Sequence, residues 1–166
     1  GVWYAAQVAA CSLYLGEGQH VRPMVENARR FMAAEQTPEG GFTSELKRKQ
    51  SQGYSIYVVM AYQTLARCGG ETGDDLWHHT TANGRSLERA VAFLAPYLAG
   101  DKAWGWADIE AGGPVSLRAF LVSRLAEKQY PALASTLRRA ADRALLENRK
   151  SVTVPIQLLM DGSPAR

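Results

Sequence analysis

Cysteine is scarce in this chain, two residues in 166, Cys11 and Cys68. Two thiols cannot build the disulfide framework of a small secreted domain. Both lie inside apolar helical patterns, where a free Cys acts as a small hydrophobe, and spacing alone leaves open whether they pair. No apolar run approaches the roughly 18 residues that a membrane-spanning helix needs, so no membrane is expected. Charge of one sign is missing too, with 19 Lys and Arg against 16 Asp and Glu and a net charge of +3. That small surplus suits an acidic substrate and falls short of a nucleic-acid footprint, so no nucleic-acid partner is expected. Histidine is rare. His78 and His79 are neighbours that point apart on regular structure, and no third ligand stands at useful spacing, so neither a metal nor another cofactor is expected. Strand patterns are nearly absent. The one β-branched run, Val152-Thr153-Val154, is interrupted by Pro155 and reads as coil or an edge piece.

What is present is helix after helix, on a length that fits one domain. Val2 to Leu15 is Ala-rich and apolar on most faces, is stopped by Gly16 and Gly18, and should be buried. A second helix starts near Val21, tolerates Pro23 in its first turn and carries the stripe Val21, Met24, Val25, Ala28, Phe31 and Met32. Thr37-Pro38-Glu39-Gly40-Gly41 breaks it. A third runs from about Tyr54 to Cys68, and Gly69-Gly70 is expected to end it. Ser86 is a plausible N-cap for a fourth, with Leu87, Val91, Leu94 and Leu98 facing a core and Gly100 closing it. An aromatic loop, Trp104-Gly105-Trp106, and a turn at Gly112-Gly113-Pro114 follow. Val115 to Ala126 and Ala132 to Leu146 complete six helices. They pair as three hairpins, without the tight repeat of a TPR or ankyrin array. The fold class expected is all-α, helical hairpins forming part of an incomplete α/α toroid.

The stretch Glu45 to Tyr57 carries the most chemistry. Lys47, Arg48 and Lys49 run through a polar connector to Tyr54 at the start of the third helix. Tyrosine is a poor base at its ordinary pKa of about 10. A neighbouring guanidinium favours the phenolate, and the same charge can neutralise a substrate carboxylate as a carbanion develops beside it. The pairing suits removal of a proton next to a carboxylate. The same residues also fit a solvated basic loop leading into a core helix. Lys47 and Lys49 could guide a polyanion. Trp104 and Trp106 could stack on sugar rings or seal one end of the helical layer. Glu45, Asp108 and Glu110 could supply an acid pair for hydrolysis, or be loop charges.

Several motifs resemble the bacterial alginate lyase family of polysaccharide lyases. Trp3-Tyr4 with Gln7-Val8-Ala9-Ala10 and Leu13 is similar to the segment that follows an Asn-Asn-His-Gly in that family. Glu45-Leu46 with Arg48, then Tyr54-Ser55, resembles its second signature. Asp75-Leu76-Trp77, Gly84-Arg85-Ser86-Leu87 and Ala90 to Leu94 are similar to a later segment. The resemblance covers about the first 110 residues. Gln50 stands where many relatives have a second arginine, and Ala5 where many have an aspartate.

The resemblance implies an α/α toroid that cleaves alginate or a related polyuronate by β-elimination, acting in the periplasm or outside the cell. Tyr54 would be base and acid, and Arg48 would neutralise the carboxylate with a histidine and an asparagine from beside the first motif. Trp3 and Tyr4 would line the cleft, with Lys47, Trp104 and Trp106 as further substrate-binding residues. The opening Gly-Val-Trp-Tyr is already apolar and has no initiator Met. Residues 1–166 are therefore expected to be the C-terminal part of such a domain, inactive alone, partnered by the N-terminal part of the same protein or by another copy. Two other readings stay open: a glycoside hydrolase of uronides on the same scaffold, and a non-catalytic helical-repeat binding scaffold.

Overall fold

Apolar residues recurring at helical spacing close into helices along most of the chain, and a computed structural model describes residues 1–110 and 114–148. Gly112 and Gly113 of the expected turn, and the run Val152 to Val154, lie outside the described residues. The helices are α1 (Val2–Tyr14), α2 (Val21–Glu35), α3 (Thr43–Leu46), α4 (Ser51–Glu71), α5 (Leu87–Ala99), α6 (Arg118–Gln129) and α7 (Ala134–Glu147), with short 3₁₀ turns at Gly18–His20 and Pro131–Leu133. Among the described residues there is no strand, only isolated antiparallel bridges. The chain is all-α.

Three hairpins, α1–α2, α4–α5 and α6–α7, stand side by side as expected. α4 packs on α1 to one side and on α6 to the other, while α2 lies against α1 and α4, and α5 against α4 and α7. This is the two-layer arrangement of an α/α toroid segment. α4 is the hub because it is apolar on most faces. It buries Ile56, Val58, Val59, Ala61, Leu65 and Ala66 together with Ser55, Tyr62 and Gln63. The Gln63 amide donates to Val122 O at 2.9 Å, which ties α4 to α6.

One turn geometry occurs twice. Thr37 N donates to Gly41 O at 2.7 Å, and Thr81 N to Arg85 O at 2.8 Å. The buried Gln36 side chain links the two turns, donating to Ser86 O at 2.9 Å and accepting from Ser86 N at 3.0 Å. Gly40 sits at φ +112°, and a Cβ there would lie 2.2 Å from Arg89 O, so the first turn packs on α5 only because this residue is glycine. Ser86 caps α5 as expected, accepting from Arg89 N at 3.1 Å, and Gly100 closes that helix at φ +86°.

Some boundaries differ from the sequence reading. α4 does not stop at Gly69-Gly70 but continues through both to Glu71. Gly69 serves close packing instead, since a Cβ there would meet Asp74 O at 2.8 Å. α6 begins at Arg118, three residues late. Val115 is held out of the helix by Glu147, whose carboxylate accepts from its N–H at 2.5 Å, and by Asn148, which donates to its carbonyl at 2.8 Å. The connector holding the cations contains the one-turn helix α3. α1 buries Val2, Ala5, Ala6 and Ala9 but not its whole circumference: Tyr4, Tyr14 and Leu15 are 66%, 91% and 67% exposed.

Candidate functional site

The start of α4 sets the geometry around Tyr54. Its N-cap, Gln50, provides no capping side-chain bond. The loop after α5 satisfies that end instead. The Asp108 carboxylate accepts from Gln52 N at 2.8 Å and places a negative charge at the positive end of the helix. Ser51 Oγ donates to Ala107 O at 2.7 Å and receives the Trp104 indole N–H at 2.7 Å. Ile109 N donates to Lys49 O at 2.8 Å, and Gln50 Nε2 to Glu110 at 2.8 Å. Loop 104–110 therefore grips residues 49–52, the link between Arg48 and Tyr54.

Arg48 and Tyr54 come together. The guanidinium lies 4.1 Å from the Tyr54 ring centroid, over its face, inside the range for a cation–π contact. The second contact of Arg48 is Glu45 at 3.7 Å. Burial chiefly pushes the Glu45 carboxyl above its ordinary value, Arg48 opposes this and Glu35 adds to it. These residues line a groove of about 190 Å³ with Trp3, Phe31, Tyr57 and Val58. Trp3 stacks on Tyr57 at 4.4 Å between centroids and donates its indole N–H to Tyr57 O at 3.0 Å. A second groove, about 340 Å³, lies on the other side of Tyr54 and Tyr57 and is lined by Gln50, Gly53, Glu110, Ser116 and Arg118.

The other candidates sit elsewhere. Tyr4 faces a depression with Asn27, Ala28 and Phe31 that shares Gly1 and Val2 with the Tyr54 groove. Lys47 is exposed and lines neither groove. Trp104 and Trp106 meet Phe93 and Tyr97 of α5 edge to face, ring centroids 5.1–6.1 Å apart, and each other at 4.8 Å, and line two further depressions rather than the Tyr54 grooves. Of the carboxylates, Glu45 lies in one Tyr54 groove and Glu110 in the other, while Asp108 is committed to helix capping. His78 Nδ1 pairs with Asp75 at 2.8 Å, a bond that raises its pKa, whereas burial lowers that of His79. Sequence reading missed Tyr57 and Arg118. Tyr57 lies one helical turn past Tyr54, so the i, i+3 spacing was available as a signal. Arg118 had none, because only the packing of α6 on α4 brings it near.

Against known proteins, the profile of the family described as alginate lyase matches residues 1–104. Among solved structures, the fold is similar to the crystal structure of an alginate lyase from Bacteroides ovatus, with a TM-score of 0.73 and 24% sequence identity, covering 86% of this chain and 38% of that one. Among curated proteins, a drimenyl diphosphate synthase from Streptomyces showdoensis is 31% identical over 111 residues, 67% of this chain and 19% of that protein. The chain spans well under half the length of either relative.

Proposed function

The chain belongs to the alginate lyase family, and from that premise we propose that it carries the proton-transfer centre of a polysaccharide lyase acting on alginate or a related polyuronate. The observation that carries the reading is the Arg48 guanidinium 4.1 Å from the Tyr54 ring, in a groove shared with Trp3. In this reading Tyr54, as phenolate, takes the proton at C5 of a uronate. The C4–O4 bond breaks as the C4=C5 double bond forms, and the tyrosine returns the proton to the leaving oxygen. Arg48 neutralises the carboxylate on which negative charge builds, where a cation acts more on the transition state than on the ground state. Trp3 and Tyr57 wall the groove, and Lys47, outside it, draws in the polyanion.

The activity belongs to a larger ring, of which residues 1–166 are the C-terminal part. That part of the proposal is supported by the share of the Bacteroides ovatus chain that is matched, 38%, and by the exposed α1 flank of Tyr4, Tyr14 and Leu15. An apolar flank of this kind suits another hairpin of the same fold. A polymeric substrate sets the place of action in the periplasm or outside the cell. The hydrolase reading has less support, because Glu45 and Glu110 lie in separate grooves with Tyr54 between them. The likeness to the drimenyl diphosphate synthase spans 19% of that protein and carries no reaction to this chain. Ultraviolet absorbance during digestion of polyuronate tests the proposal: elimination creates a conjugated unsaturated uronate and hydrolysis does not. Cleavage without that absorbance would sink it.

A further inference from the structure

Gly53 has no structural reason to be glycine. It lies in the first turns of α4, outside the residues with positive φ, and a Cβ added to it would meet nothing within 4 Å. Glycine inside a helix is otherwise a loss of stability relative to alanine. Gln50, Gly53, Tyr54 and Tyr57 follow the i, i+3, i+4, i+7 spacing of one helical stripe, so Gly53 makes the floor of the larger groove beside Tyr54. Arg118 stands over that floor, its guanidinium 5.7 Å from the Tyr57 ring. No carboxylate among the described residues forms an ion pair with it. Glu110, the carboxylate in this groove, is occupied by the Gln50 amide at 2.8 Å.

Resting on the lyase reading, we propose that this groove is a second sugar subsite: a pyranose ring lies over bare Gly53, and Arg118 holds its carboxylate. Arg48 and Arg118 then flank Tyr54 from two grooves, one acid group each. Within the polyuronate class proposed above, the subsite selects a uronate over a neutral sugar next to the cleavage point. An arginine suits the task because its planar fork matches a carboxylate.

The test is made in the complete ring carrying Tyr54→Phe, where bound sugar is not consumed. Calorimetry measures the affinity of a uronate oligosaccharide and of its carboxyl-reduced counterpart. Gly53→Leu should keep an equal or higher Tm, since leucine is a better helix former, yet bind both sugars roughly tenfold or more weakly. Arg118→Ala should lose a similar factor for the acidic sugar and little for the reduced one, with partial rescue by Arg118→Lys. Unchanged affinity in a well-folded Gly53→Leu protein, or a protein that binds neither sugar, overturns the subsite. Failure of the lyase reading looks different: the complete ring, not residues 1–166 alone, binds the acidic sugar, Gly53→Leu weakens it, and no ultraviolet product forms.

Discussion

Two tyrosines eight positions apart on one helix, Tyr54 and Tyr62, live in opposite conditions. Tyr62 is fully buried, stacks on Phe42 at 5.3 Å and donates its hydroxyl to Ala28 O at 3.1 Å. Burial pushes its pKa far above the ordinary tyrosine value, with Glu35 adding to it. Tyr54 borders two open grooves, and its closest charge is a guanidinium. At Tyr62 the cause is desolvation, which penalises an anion. The same side chain is thus a structural strut in the middle of α4 and a candidate proton carrier near its start. The difference is made by Phe42 and the Ala28 turn of α2 packed over Tyr62, and by the open grooves beside Tyr54.

The largest expected effect breaks that comparison directly. Tyr54→Phe should lower elimination by about 10²–10⁴-fold or more, since it removes a group used as both base and acid, while the far-ultraviolet spectrum and polymer binding stay close to the parent. Tyr62→Phe should keep turnover per folded molecule and lose only about 1 kcal/mol, because it removes one hydrogen bond to a buried helical carbonyl. Equal losses of turnover from both substitutions would make Tyr54 another packing residue.

Next come the cations. Arg48→Ala should cut kcat by roughly 10²–10³-fold, the scale of losing one charge stabiliser aimed at the transition state. Lys47→Ala should mainly raise KM, more at low salt than high, since exposed charges are screened beyond about 10 Å at 0.1 M. Steady-state kinetics at two ionic strengths separate them. A salt-dependent KM effect from Arg48→Ala with kcat intact would demote it to the same class as Lys47.

Much of this was legible in the sequence. The hairpin count, the Ser86 cap and the Gly100 stop follow from periodicity and local backbone chemistry, which act over a few residues. The Arg48 and Tyr54 pairing was also legible, because both lie in one connector-to-helix segment. What stayed hidden depends on distant packing. Gly69 looked like a helix stop, yet it is a contact point for the Asp74 backbone. Trp104 read equally as a sugar platform or an end seal, and its bond to Ser51, which ties the loop to the start of α4, gave no signal in the sequence. Arg118 and Glu110 come near Tyr54 only because α6 and the loop before it fold back on α4.

A smaller effect sharpens the contrast from the packed side. Gly40→Ala should cost about 1–3 kcal/mol, the range for forcing a side chain into a strained backbone state, with the clash at Arg89 O on top. The denaturant midpoint should fall and kcat per folded molecule should hold. Gly53→Ala, on the open side, should not lower stability at all. Two glycines on either side of the same helical layer would then differ in sign, one needed for packing and one for access. A stable Gly40→Ala protein would mean that the first turn can lift from α5 without loss, and that the packed side is softer than its close approach indicates.

The smallest effect is a pH dependence at the edge of the site. Burial raises the Glu45 carboxyl above its ordinary value, against the pull of Arg48. An acid whose pKa is raised on folding binds its proton more tightly in the folded state. Its contribution to stability is therefore complete below the unfolded pKa, about 4.3, and is lost as pH rises through the higher folded value. Glu45→Gln should flatten that part of the stability profile, raising Tm slightly at neutral pH and leaving it nearly unchanged near pH 4. The same change should reach the substrate. Ionised Glu45 sits 3.7 Å from Arg48 and competes with a uronate carboxylate for it, so KM should fall modestly in the glutamine variant at neutral pH, while kcat moves less. Thermal melts and KM measured across that window decide the point. A Tm difference that grows toward acid would reverse the sign argued here and mean that the Arg48 charge, and not burial, governs Glu45.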